Sequence, residues 1–280
     1  MPSRTVARPV ARPVARPVAR PVARPVARPV ARPVVLVTGA AQRLGRVIAL
    51  ELARRGHDIA LHFNHSADAA AATLAELRGC GASADSFQAD LADEAATTAL
   101  VPAVLESFGR LDAVVHNASL FVYDDVATFS YAGLSAHANV NTGSAVLLAR
   151  ALHAHAQTRN TRAALVLMLD QRLWNPNPDY LSYTMSKSGL EMLTRVLAKA
   201  LAPDVRVVGV APGLALDSEL IDDAQMQRMA ALSLTGATVR PAEVADAVAF
   251  ALGNAALTGS TLMVDAGYHL RPMERDFPFQ

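Results

Sequence analysis

Residues 34–45 read Val34-Val35-Leu36-Val37-Thr38-Gly39-Ala40-Ala41-Gln42-Arg43-Leu44-Gly45. Four aliphatic residues in a row, closed by a glycine turn, predict a strand buried on both faces. Gly39 permits the tight turn, Gly45 lets a helix approach the sheet, and the helix runs on to about Arg55. Free N–H groups at that helix N-terminus suit a pyrophosphate.

Downstream the chain alternates strand and helix. Strands are expected at Asp58–Phe63, Ser83–Gln88, Asp112–His116, Ala163–Leu169, Val205–Val210 and Thr261–Val264. Helices are expected at Ala67–Leu77, Glu94–Phe108, Leu134–Gln157, Tyr183–Leu201 and Pro241–Leu252. Such alternation predicts an α/β fold: one doubly wound parallel sheet of Rossmann type. Ligands bind such sheets beyond the carboxyl ends of the strands.

Upstream, residues 7–34 are seven copies of Ala-Arg-Pro-Val. Proline at every fourth position forbids a regular helix, so 1–33 is expected to be a disordered tail and 34–280 the folded domain. The tail has no apolar core like that of a secretory signal. Eight of the 26 Lys and Arg lie in residues 1–34, leaving 18 against 25 acids in the rest. A mildly acidic body argues against a nucleic-acid partner. A single cysteine, Cys80, allows no intrachain disulfide and suits a reducing compartment such as the cytoplasm. No apolar run reaches the ~18 residues of a membrane span.

Chemistry concentrates between Asp170 and Lys187. Tyr183 and Lys187 lie four apart, on one face of a helix. An ammonium beside a phenol favours the phenolate, so the Tyr183 pKa is expected below its usual ~10. Asp170 closes a buried strand thirteen residues earlier. The second strand ends in Phe63-Asn64-His65-Ser66, where an acid would bind the ribose 2′-hydroxyl of NAD. None is present, and Arg43 adds a cation, which favours NADPH. Ser66 also suits the N-cap of the next helix.

From about residue 34 to 270 the chain resembles the short-chain dehydrogenase/reductase family. The resemblance rests on Thr38-Gly39…Gly45, Asp90, Asn117-Ala118, Asn141, Tyr183-x-x-x-Lys187 and Pro212-Gly213. The family pattern has glycine where Arg43 and Ser119 stand, and serine where Asp170 stands. All three departures are similar to the pteridine reductase branch, which also has an aromatic at the place of Phe121. Bacterial dihydromonapterin and dihydrofolate reductases share the aspartate.

This resemblance implies NADPH-dependent reduction of a pterin or dihydropterin. It implies that Lys187 holds the nicotinamide ribose, that Tyr183 and Asp170 relay a proton to a ring nitrogen, and that Asn141 supports the lysine through water. Gly39, Arg43, Leu44, Gly45, Asn64, His65, Ser66, Asp90, Leu91, Asn117, Ala118, Pro212 and Gly213 are expected at the cofactor. Arg43, Ser119, Phe121 and Trp174 are expected at the substrate, with Phe121 stacked on the pterin. Residues Leu214–Thr235 read as a mobile helical lid. The eight histidines show no metal spacing. Family habit implies a homotetramer built on the helices Leu134–Gln157 and Tyr183–Leu201. The rival readings are a ketone or enone reductase and an idle NADP-binding protein.

Overall fold

A computed structural model describes residues 32–214 and 223–276. The tail 1–31 and most of the expected lid's first half, 215–222, lie outside the described residues. Seven strands form one parallel sheet in the order β3-β2-β1-β4-β5-β6-β7. They are β1 (Val34–Val37), β2 (Asp58–Phe63), β3 (Ala84–Gln88), β4 (Ala113–His116), β5 (Ala163–Met168), β6 (Val205–Pro212) and β7 (Ser260–Val264). The helices are α1 (Arg43–Arg54), α2 (Ala67–Gly79), α3 (Glu94–Phe108), α4 (Tyr131–Ala138), α5 (Ser144–Arg159), α6 (Leu181–Ala200), α7 (Asp223–Leu232) and α8 (Pro241–Gly253).

Successive strand residues feed opposite faces. Val35 and Val37 pack with Ile48, Leu52, Val244 and Val248 of α1 and α8. Val34 and Leu36 pack with Leu100, Val104, Leu148 and Leu152 of α3 and α5. Burying each such side chain contributes about 1.5–3 kcal/mol, which is why an aliphatic run with no polar alternation makes a central strand. The strand order reverses between β1 and β4, which opens a crevice at their carboxyl ends.

Element boundaries shift by a few residues from expectation. Ser83 falls outside β3, its N–H taken by Asp58 Oδ1 at 2.9 Å. The larger correction concerns the helix expected at Leu134–Gln157. It starts at Tyr131, ends at Arg159 and is broken by a π-helical turn, Asn139–Gly143. That turn centres on Asn141, whose side chain is bonded on every side. Ser66 stands at the N-cap of α2 as expected, but its hydroxyl makes no capping bond.

Candidate active site

The glycine turn is built from three strands. Thr38 Oγ1 accepts from Asn117 N and Ala118 N, each at 2.9 Å, which ties β1 to the end of β4. Gly39 has φ +63°, and its N–H donates to His62 Nδ1 at 3.1 Å. On the other side His62 Nε2 donates to Ala89 O at 3.1 Å. Burial lowers the His62 pKa from 6.5 to about 4, so the ring is neutral and its tautomer is fixed by these two bonds. Sequence reasoning missed His62, because inside a strand it looked like any other strand residue.

Arg43, at the glycine position of the family pattern, has φ +52°. A left-handed non-glycine residue costs on the order of 1 kcal/mol, so the surrounding turn must hold it. A Cβ on Gly45 would stand 2.1 Å from Gly39 O and 2.6 Å from Asn117 Nδ2. Only glycine fits there. Helix α1 has no side-chain N-cap and no acid in its first turn, so its N–H groups face outward without a competing anion.

Past the end of β2, Asn64, His65 and Ser66 carry no acid. The Asn64 amide oxygen is buried and has no hydrogen-bond partner among the described residues. Exposed Asp90 accepts from Ala92 N at 2.9 Å, beside buried Leu91.

The reacting centre lies where β5 and α6 meet. Tyr183 Oη donates to Asp170 Oδ2 at 2.8 Å, and Asp170 Oδ1 accepts from Arg172 N at 2.9 Å. Lys187 Nζ donates to Met168 O at 2.6 Å and stands 5.7 Å from the Tyr183 ring centroid. Burial pushes the lysine down to about 8. The tyrosine corrects an expectation. Burial first, then the Asp170 carboxylate, hold its pKa well above the usual 10. The lysine does not reverse this, since a carboxylate bonded directly to the phenol opposes its ionisation.

Asn141 is fully buried. Its Nδ2 donates to Leu120 O and Ser186 Oγ at 3.0 and 2.9 Å. Its Oδ1 accepts from Leu120 N at 2.7 Å and Ser119 Oγ at 3.2 Å. The side chain therefore holds the Ser119–Leu120 loop.

Phe121 is half exposed and stacks on Tyr180, with ring centroids 4.1 Å apart and planes 15° from parallel. Tyr183 meets it edge-on at 4.7 Å. The guanidinium of Arg172 lies 5.3–5.6 Å from the centroids of Phe121, Tyr180 and Tyr183.

One cleft of about 460 Å³ joins these parts. It brings together Gly39, Arg43, Leu44, Gly45, Asn117, Ala118, Ser119, Phe121, Asp170, Tyr183, Lys187, Pro212 and Gly213 from the expected set. Asn64, His65, Ser66, Asp90, Leu91 and Asn141 are not in its lining. Trp174, expected at the substrate wall, is absent from the lining too: it ends the 3₁₀ turn Gln171–Trp174 and is 40% exposed. Arg172 and Asp276 line the cleft instead, and neither was foreseen. A hollow of about 520 Å³ beside Leu232, Tyr268 and residues 271–275 contains none of the reacting side chains. Among the described residues no His, Cys, Asp and Glu group could hold a metal.

A dinucleotide-type groove leading to a Tyr–Lys pair defines a class of oxidoreductase. The family model described as enoyl-(acyl carrier protein) reductase matches residues 39–269, and the chain belongs to the short-chain dehydrogenase/reductase family. It is similar to the FolM alternative dihydrofolate reductase 1 of Brucella canis, solved as a complex with NADP. That match has a TM-score of 0.80 and 34% identity, and covers 87% of this chain and 97% of the other. Pteridine reductase 1 of Leishmania tarentolae is 33% identical over 84% of this chain and 96% of its own. Dihydromonapterin reductase of Escherichia coli is 27% identical over 85% and 97%.

Proposed function

We propose that the protein reduces a pterin or dihydropterin with NADPH. The observation that carries this reading is the Tyr183–Asp170 hydrogen bond in a cleft walled by Phe121. A hydroxyl at position 170 would serve a carbonyl oxygen; a carboxyl group beside a phenol can exchange a proton with a ring nitrogen. The three relatives, each acting on a pteridine or folate by name, support the same substrate class.

The groove fits NADPH. Gly39, Arg43, Leu44 and Gly45 would take the pyrophosphate, and the forced glycine at 45 lets the N-terminus of α1 close on the turn. Asn64, His65, Ser66 and Arg43 would take the 2′-phosphate, since no acid stands after β2 to repel it. Asp90 and Leu91 would flank the adenine. Asn117, Ala118, Lys187, Pro212 and Gly213 would hold the nicotinamide half. When bound, the reduced nicotinamide supplies a hydride. Lys187, anchored on Met168 O, orients the ribose end. Tyr183 and Asp170 share the proton that the substrate nitrogen takes up, and Phe121 with Ser119 positions the flat ring.

Helices α5 and α6 expose Val146, Met185, Met192 and Val196, an apolar face on which a homotetramer would assemble. The test of function is an assay of the purified protein with NADPH against dihydrobiopterin, dihydromonapterin, dihydrofolate and several activated ketones. Turnover of at least one pterin above all ketones is expected. Activity on ketones alone would contradict the reading.

A further inference from the structure

The loop from Asp170 to Tyr183 sets the distance between the two proton-handling groups. Its conformation is fixed from far away in sequence. Arg172, 94% buried by its 6% exposure, donates from Nη2 to Asp276 Oδ2 at 2.7 Å. Its Nε stands 3.6 Å from Asp170 Oδ2, the same oxygen that accepts from Tyr183. Nη1 donates to Asp179 O at 3.4 Å. Asp179 in turn accepts from Asp276 N at 2.7 Å and from Arg275 Nη2 at 2.7 Å. Asn175 Nδ2 donates to Arg271 O. Three points of the loop, at 172, 175 and 179, are thus fastened to residues 271–276.

We propose that Arg172 is a positioning residue for the reaction. Locked to Asp276, it sets the Asp170 carboxylate against the Tyr183 hydroxyl, so that Asp276 of the C-terminal segment completes the substrate half of the cleft. The charges explain the arrangement. Asp170 and Asp276 both line one cleft, and a guanidinium between them relieves their repulsion while its planar fork fixes direction. The three aromatic faces around Arg172 hold the fork in place from the other side. Lysine could supply the charge but not the fork. The proposal rests on the pterin reading, because only that reading asks Asp170 for a set geometry.

The experiment compares wild type, Arg172→Met, Arg172→Lys, Asp276→Asn and the Arg172→Met/Asp276→Asn double variant. It measures kcat and KM for a dihydropterin, NADPH affinity by fluorescence, and acrylamide quenching of Trp174, the only tryptophan and a member of the same 3₁₀ turn. Arg172→Met should lower kcat by about tenfold or more while NADPH affinity stays within about twofold, as expected when a reacting group is misplaced by a fraction of an ångström. Arg172→Lys should recover part of that loss. Asp276→Asn should lower kcat as well, and in the double variant should add little to Arg172→Met, as linked residues do. Quenching of Trp174 should rise in Arg172→Met and Asp276→Asn. Near wild-type kcat in Arg172→Met, or losses that multiply in the double variant, would overturn the proposal. If Arg172→Met does not fold, the near-isosteric Asp276→Asn decides by kcat and quenching. A wild type that reduces no dihydropterin sinks the pterin reading instead. Trp174 quenching then still decides whether the C-terminal segment holds the loop.

Discussion

Two buried histidines make acid stability readable at the level of single residues. Burial lowers His62 from 6.5 to about 4 and His116 from 6.5 to about 3. Below pH 6.5 the unfolded chain takes up protons that the folded chain refuses. Stability is therefore fully present above pH 6.5 and falls as the pH drops toward 4, by about 1.4 kcal/mol per pH unit for each histidine. Urea unfolding at pH 7 and pH 5 should show this loss. His62→Asn keeps an acceptor for Gly39 and should make the loss smaller; an equal loss in the variant would refute the assignment. Tyr183→Phe should bind NADPH nearly as wild type and lose most turnover, whereas Lys187→Ala should lose both. Steady-state kinetics with a cofactor titration check the pair. The meeting of Tyr183, Lys187 and Asp170 was legible because their spacing is local, four and thirteen residues apart. His62 and Arg172 were not. Their partners, Gly39 and Asp276, lie 23 and 104 residues away, so no local pattern marks them.

Among the elements, β1 with its turn and α1 was the most legible, because burial on both faces and a glycine where no Cβ fits both leave marks in sequence. Gly45→Ala tests that. Its methyl would meet backbone oxygen at 2.1 Å, so strand and helix must part. The melting point should fall, corresponding to about 1–3 kcal/mol of overpacking, and NADPH affinity should drop in a fluorescence titration. Unchanged affinity would show that the turn does not hold the cofactor. The π turn inside the helix expected at Leu134–Gln157 escaped detection. Its cause is the side chain of Asn141 reaching Leu120 and Ser186, a tertiary demand that helix periodicity does not express.

On the scale of the molecule, the described residues begin at Arg32, which fastens itself to the body. Its guanidinium donates to Ala53 O and His57 O, each at 2.8 Å, and pairs with Asp58 at 3.1 Å. A chain starting at Arg32 should keep the melting point and activity of the full chain, and Arg32→Ala in that chain should melt lower. A large fall on removing residues 1–31 would show that the repeats pack on the body. The single parallel sheet with helices on both faces followed from the alternation of buried strands with helices. The place of Asp276 in the cleft did not, because it is joined to Arg172 across 104 residues through charges.

The most direct test of the central claim exchanges one side chain and compares two substrates. Asp170→Ser retains a hydroxyl able to cap the turn at Arg172, so the fold is preserved. It removes the carboxyl partner of Tyr183. Measured as kcat/KM with NADPH, the account predicts a loss of about 10²-fold on a dihydropterin. On a simple activated ketone it predicts an equal or higher value, since a carboxylate opposes a developing oxyanion. Equal losses on both substrates, or a wild type that leaves every pterin untouched, would contradict it.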